Sequence, residues 1–373
     1  MSKLIDIVNF NADASCLDSD RWLRALEGGE QSEFCNWLNL FIRNKKPVVL
    51  GLTGATIADL SAFNPHAIGL IKNVPEIFQV ISRPFAHDLP FFRTEWGFRT
   101  NVGLGRSAAI HSFGRVDDIY LPPEFMQSNR QTEILRGLGI SMSIIKRDRF
   151  GEKANSIPSS LFLIDGIPDG GMFCMPVTDG LTQRYLQTLQ LLDLTKWNSS
   201  SHVDYAQILW RDGESVFLIP DGIEREEYWL EGCLYERGHI SSPATKSPDI
   251  LPKRSYPVHP FSAWSNEMSM LWFIRRVEDL ERGLIGSKSS SEIIAWLNCI
   301  NSDILAAVEK SSPRIELRNL KNHQLNSFLI NRSDRGFEGE AMLVAAEQNI
   351  NIIGSKGWQR KALAREQYIS ELL

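Results

Sequence analysis

No stretch of this chain approaches the roughly 18 uninterrupted apolar residues that a membrane span requires, and its first apolar run, Leu4-Ile5-Asp6-Ile7-Val8, is short and broken by Asp6. Such a run is too short for a secretory signal, so the expectation is a cytoplasmic protein without a membrane partner. Cysteine is scarce as well. The five cysteines (Cys16, Cys35, Cys174, Cys233 and Cys299) are odd in number and scattered, with no Cys-x-x-Cys pair, which argues against both a disulfide framework and a structural zinc site. There is no excess of either charge: 40 Lys and Arg stand against 45 Asp and Glu, a net charge of -5, so the basic footprint of a nucleic-acid binder is missing. Gly-x-Ser-x-Gly does not occur, which disfavours an esterase elbow. Asp165 to Gly171 lacks the Gly-Lys-Ser/Thr ending of a phosphate loop and the spaced ligands of a calcium loop, so it reads as a hairpin connection. Trp210-Arg211-Asp212-Gly213-Glu214 reads the same way, with Asp-Gly between two apolar runs.

What is present is an ordinary globular composition, 43% hydrophobic and 23% charged, over 373 residues. That length exceeds one usual core, so two units are expected. Short apolar runs recur at 5–10, 47–52, 77–81, 119–121, 140–145, 161–164 and 216–219. Runs of this kind suit buried parallel strands covered by helices on both faces. Amphipathic helices are expected between them, over 20–42 with a break at Gly28-Gly29, and over 127–138, opening near Ser128 and stopping at Gly139. This alternation implies a parallel α/β sheet, closed as a barrel or left open. From about Phe261 the pattern turns to amphipathic helices alone, over 267–284, 291–308, 314–328, 339–348 and 358–372. The expected division is therefore 1–260 and 261–373.

In a parallel barrel the reacting groups sit at the C-terminal ends of strands. Polar residues that follow the runs include Asn11 and Asp13, the segment Ser82 to His87, Glu124 after Leu121-Pro122-Pro123, and Asp221 after Ile219-Pro220. Each also has a plain structural reading. Glu124 could favour the start of the following helix, Asp221 could serve a Pro-Asp-Gly turn, His87 could be a satisfied buried histidine, and Asn11 and Asp13 could cap a helix.

Three segments resemble glycoside hydrolase family 57 and the related polysaccharide-deacetylase-like (β/α) barrel enzymes. Gln79 to Pro90 looks like that family's strand-and-histidine segment, and Phe113-Gly114 with Tyr120-Leu121-Pro122-Pro123-Glu124 is similar to its nucleophile motif. Val216 to Glu224 resembles its Asp-Gly-Glu motif, whose aspartate is the general acid/base. The resemblance implies a distorted (β/α)7-type barrel with a C-terminal helical domain, and a retaining hydrolase or glucanotransferase acting on an α-linked saccharide. On it, Glu124 and Asp221 are the catalytic carboxylates, and Asn11, Asp13, His87 and Gln79 contact an oligosaccharide or other sugar-containing substrate, with no cofactor and no metal. The chain departs from the family in three places. It has no His-Gln-Pro motif, Gln79 stands where relatives carry a glutamate, and Asp221-Gly222-Ile223 replaces Asp-Gly-Glu. Two alternatives stay open. One is a metal-dependent deacetylase using Asp13, His87 and His111, though no His-x-x-x-His pair occurs; the other is a non-catalytic barrel that binds a saccharide or a partner protein.

Overall fold

A computed structural model describes residues 4–11, 19–146, 161–165, 171–177, 207–232, 236–240, 249–252, most of 275–300, and 356–373. Among the described residues there are nine strands, most of them rich in β-branched and other apolar side chains: β1 (Leu4–Phe10), β2 (Val48–Leu52), β3 (Phe78–Ser82), β4 (Asp117–Tyr120), β5 (Met142–Lys146), β6 (Phe162–Asp165), β7 (Met172–Val177), β8 (Gln207–Asp212) and β9 (Asp249–Pro252). They form one sheet in the order β8-β1-β2-β3-β4-β5-β7-β6-β9. The seven strands from β8 to β7 pair in parallel throughout, and β7 comes back into contact with β8. The fold is thus the distorted (β/α)7-type barrel that the family resemblance implied, and not the open sheet that the strand pattern also allowed. Beyond β7, β6 pairs antiparallel and carries β9 on its other edge; the antiparallel pairing agrees with the hairpin reading of 165–171, although 166–170 lie outside the described residues.

Strand alternation separates two cores. Ile5, Ile7, Val49, Ile81, Ile119, Met142, Ile144 and Met175 face the barrel interior, whereas Leu4, Val8, Phe10, Val48, Leu50, Phe78 and Val80 face the surrounding helices. Those helices are α1 (Ser19–Leu26), α2 (Glu33–Arg43), α3 (Gly54–Phe63), α4 (Pro65–Asn73), α5 (Glu95–Phe113) and α6 (Asn129–Gly137). The break expected at Gly28-Gly29 is present, with both glycines at positive φ. Ser128 caps α6 in a full capping box with Gln131, and Gly139 follows its end at φ 79°.

Two local expectations are overturned. Val216 to Ile219 is not a strand, because Ser215–Leu218 forms a short helix, α7, followed by α8 (Gly222–Gly232). Trp210 to Glu214 is not a hairpin, because β8 ends at Asp212 and pairs in parallel with β1. A four-residue apolar run is too short to show a period. Here the deciding factor is tertiary: Phe217 packs into an outer aromatic cluster with Phe10, Trp22 and Phe34.

The expected boundary at 260/261 and the helices expected at 314–328 and 339–348 lie outside the described residues. The described C-terminal helices, α9 (Ser290–Cys299) and α10 (Lys356–Leu372), pack against one another, and α10 also lies against α1, α3 and α5. Ile293, Trp296 and Ile369 join the same outer core as the barrel helices. Among the described residues no helix is long and apolar enough to cross a membrane.

Candidate active site

The inward face of β1 turns from apolar to polar along its length: Ile5 and Ile7 fill the interior, then Asn9 and Asn11 follow on the same side at the C-terminal end. Neighbouring strands do likewise. On β3 the inward positions run Gln79, Ile81, Arg83, and on β8 they run Ile208, Trp210, Asp212. The result is a cavity of about 150 Å³ at the C-terminal rim of the barrel, whose polar lining is Asn9, Asn11, Arg83, His87, Glu124 and Asp212.

Arg83 forms the floor at only 2% exposure. Its Nη1 donates to the Leu121 carbonyl at 2.9 Å and its Nη2 to Asn11 Oδ1 at 2.6 Å. Gly51 on the neighbouring strand leaves room for Leu121: a Cβ there would lie 2.9 Å from Leu121 Cδ2, while Arg83 Cδ at 3.6 Å would be in ordinary contact. The segment after Arg83 is tied to α5, since Phe85 N–H donates to the Asn101 carbonyl and Ala86 N–H to Asn101 Oδ1, both at 2.8 Å. That tie carries His87 to the cavity, where burial and the Arg83 charge hold its imidazole well below its usual range, hence neutral. The next residue, Asp88, is buried away from water, which pushes its carboxyl up to about 7.

Glu124 sits in the turn Pro123–Phe125 just beyond β4. Both Glu124 and Phe125 are left-handed, at φ 51° and 54°. Non-glycine residues in that region cost about 1–3 kcal/mol each and collect at functional sites. The turn is closed by Phe125 N–H to the Pro122 carbonyl at 3.1 Å and Met126 N–H to the Pro123 carbonyl at 2.9 Å.

Asp212 is the last residue of β8, and its Oδ1 accepts from Asn9 Nδ2 at 3.1 Å. Gly213 then lets the chain pass over the ring of Phe10: a Cβ there would fall 2.2 Å from Phe10 Cζ. Glu214 turns back inward, buried, and accepts the Asn11 backbone N–H. Burial first, and the Asp212 charge second, push its carboxyl up to about 8, so it carries a proton at neutral pH.

Of the residues singled out from sequence, Glu124, Asn11 and His87 line this cavity, and Asp13 lies outside the described residues. Gln79 shares the inward face of β3 with Arg83 but lies at the other end of the strand. Its amide is taken up there, with Nε2 donating to Asp117 Oδ2 at 2.5 Å and to the Ile240 carbonyl at 2.8 Å, and Oε1 accepting from Ile240 N–H at 2.8 Å. Asp221 is exposed at φ 57° in the turn between α7 and α8, and it is not part of the cavity lining. His111 lies on the outer helix α5, beside Tyr368 and 3.9 Å from the Glu371 carboxylate, so it is not brought to His87. No group of three or more His, Cys, Asp or Glu among the described residues is disposed to hold a metal. The residue that sequence reading passed over is Asp212. The signal is in the sequence, because Asp212-Gly213-Glu214 spells out the Asp-Gly-Glu motif that Asp221-Gly222-Ile223 matches only in its first two residues.

No family model and no curated protein matches the sequence. Solved structures do match. A GH57-type branching enzyme from Pyrococcus horikoshii superposes with a TM-score of 0.60 at 10% identity, covering 94% of this chain and 95% of that one. An alpha-amylase from Thermotoga maritima gives 0.58 at 9%, covering 96% and 98%. A 4-alpha-glucanotransferase from Thermococcus litoralis gives 0.53 at 10%, covering 83% of this chain, which spans only 55% of that enzyme. At such identities the likeness speaks for the fold alone, and the chain has the barrel fold of the family 57 glycoside hydrolases.

Proposed function

We propose that this chain is a glycoside hydrolase or glucanotransferase acting on an α-linked saccharide, with Glu124 as the nucleophile and Asp212, rather than Asp221, as the general acid/base. One observation carries the reading: Glu124 and Asp212 reach a single cavity from the C-terminal ends of two different parallel strands. A glycosidic oxygen is a poor leaving group, so one carboxyl must protonate it while another captures the oxocarbenium-like centre. In the retaining course Glu124 attacks the anomeric carbon as Asp212 gives its proton to the departing oxygen. Asp212 then takes a proton from water, for hydrolysis, or from an acceptor hydroxyl, for transfer.

The remaining lining suits sugar hydroxyls. Neutral His87 and the amides of Asn9 and Asn11 offer donors and acceptors without adding charge, while the Arg83 cation beneath them offsets the carboxylates. The solved structures that this fold resembles are a branching enzyme, an amylase and a glucanotransferase, which directs the first assays to α-glucans. With maltooligosaccharides, Glu124→Gln and Asp212→Asn should each lower turnover by about 10²- to 10⁴-fold, while Asp221→Asn leaves it near the parent value. Product distributions read by chromatography decide it. Full activity in Glu124→Gln removes the nucleophile assignment, and a loss confined to Asp221→Asn returns the acid/base role to that residue.

A further inference from the structure

Beside the two carboxylates, the cavity wall is an aromatic pair capped by a cation. Phe125 follows Glu124 directly in the strained turn. Trp210 precedes Asp212 by two residues and therefore shares its inward face on β8. Their rings meet edge to face with centroids 5.1 Å apart at 74°. Lys146, the last residue of β5 and only 8% exposed, sets its ammonium 4.8 Å from the indole centroid and 6.0 Å from that of Phe125. The turn at Glu124, strand β8 at Asp212 and strand β5 thus meet in one contact.

We propose that the Phe125–Trp210–Lys146 stack is the spacer that sets the separation of Glu124 and Asp212, which makes Trp210 and Lys146 positioning residues for the reaction. The inference rests on reading those two carboxylates as the reacting pair. Its physical basis is threefold. Consecutive left-handed residues persist only where surrounding structure over-determines them, and Phe125's ring, held against β8, supplies such a restraint one residue from the nucleophile. An edge-to-face pair at 5.1 Å lies near the short end of the favourable range for aromatic contacts, so it resists compression and the turn cannot move toward β8. The Lys146 charge lies over both ring systems, which disfavours their separation. Carboxyl spacing decides the chemistry, since about 5–5.5 Å supports a covalent intermediate and a wider gap admits a water between.

The test separates this inference from the reading beneath it. In full-length protein, Trp210→Leu removes the spacer, Trp210→Phe keeps an aromatic edge, and Lys146→Met removes the charge while keeping most of the length. We expect Trp210→Leu to lower kcat about 100-fold, as a displacement near 1 Å does, with KM moving less than about threefold. Trp210→Phe should recover most of the loss, and Lys146→Met should fall between. Circular dichroism identifies a variant that fails to fold, in which case Trp210→Phe and Lys146→Met are judged by the same kcat-against-KM split. An active parent silenced by Glu124→Gln and Asp212→Asn, yet indifferent to the spacer variants, overturns the spacer alone. A parent without turnover, or one indifferent to Glu124→Gln, overturns the reacting pair and the spacer with it.

Discussion

Among single residues, burial does more than pairing to set the chemistry around the cavity. Glu214 illustrates it: its ordinary value is 4.5, and in the folded chain its carboxyl is pushed up to about 8. Between those values the folded protein binds more protons than the unfolded chain, so this contribution to stability is complete at acidic pH and is lost as pH rises through 8. Asp88 adds the same sign up to about 7. His87 has the opposite sign, because its lowered value costs stability only as pH falls below 6.5. The window from 6.5 to 8 is therefore governed by the carboxyls. The melting temperature should drop between about pH 6.5 and 8.5, and Glu214→Gln should flatten that drop; a parent with no slope, or a variant with the same slope, contradicts the account. Glu124 was legible in the sequence as a polar residue closing a strand after two prolines. Asp212 carries a signal too, in Asp-Gly-Glu, but Asp-Gly directly after the charged Arg211 in a short apolar run reads as a turn.

For the strands and helices, that misleading charge has a structural explanation. Arg211 faces outward from β8 at 1% exposure and donates to both oxygens of Asp6 on β1, at 2.9 and 3.1 Å, and to both oxygens of Glu226 on α8, at 2.9 and 2.7 Å. Arg237 adds a further donor to Asp6 at 2.6 Å, and the Asp6 carboxyl is held below its ordinary range, the two arginines outweighing its burial. Two cations and two anions make a buried set with no net charge. Such a set contributes little against an apolar replacement, but breaking it leaves uncompensated charge. Arg211→Met should therefore cost about 3–5 kcal/mol in urea unfolding, whereas a loss below about 1 kcal/mol, the range of exposed pairs, would mean that the set is not closed in solution. No local pattern shows this arrangement, since Asp6, Arg211, Glu226 and Arg237 come from separate segments of the chain and a buried arginine looks like a surface one until its partners are placed.

At the level of the whole molecule, the described C-terminal helices belong to the barrel's outer layer. Arg365 on α10 donates to both oxygens of Asp59 on α3, at 2.9 and 2.8 Å, and Trp22 Nε1 on α1 donates to the same carboxylate at 3.2 Å. Asp59 and Arg365 are almost wholly buried. A second buried carboxylate, Glu281, ties α9 to the start of α5: it pairs with Arg93 and accepts from Thr94 N–H at 2.8 Å and from Trp296 Nε1 at 3.1 Å. Arg365→Met should lower stability by about 3–5 kcal/mol and shift one cooperative transition as a whole. A separate early melt confined to the α10 amides in hydrogen exchange would instead mark the C-terminal helices as an independent unit.

The alternation of apolar runs and helices determined the parallel α/β class, because burial on both faces of a strand writes itself into consecutive residues. The helix caps at Ser128 and Gly139 were equally local, since a side-chain oxygen or a positive φ acts within a few residues of where it stands. Tertiary structure alone decided which acidic residues share the cavity. Whether Gln79, Asp212 or Asp221 reaches it depends on which end of a strand each occupies and on the strand register, and those follow from pairing between segments as distant as β1 and β8. Contacts of that kind arise from folding the whole chain, so no window of sequence contains them.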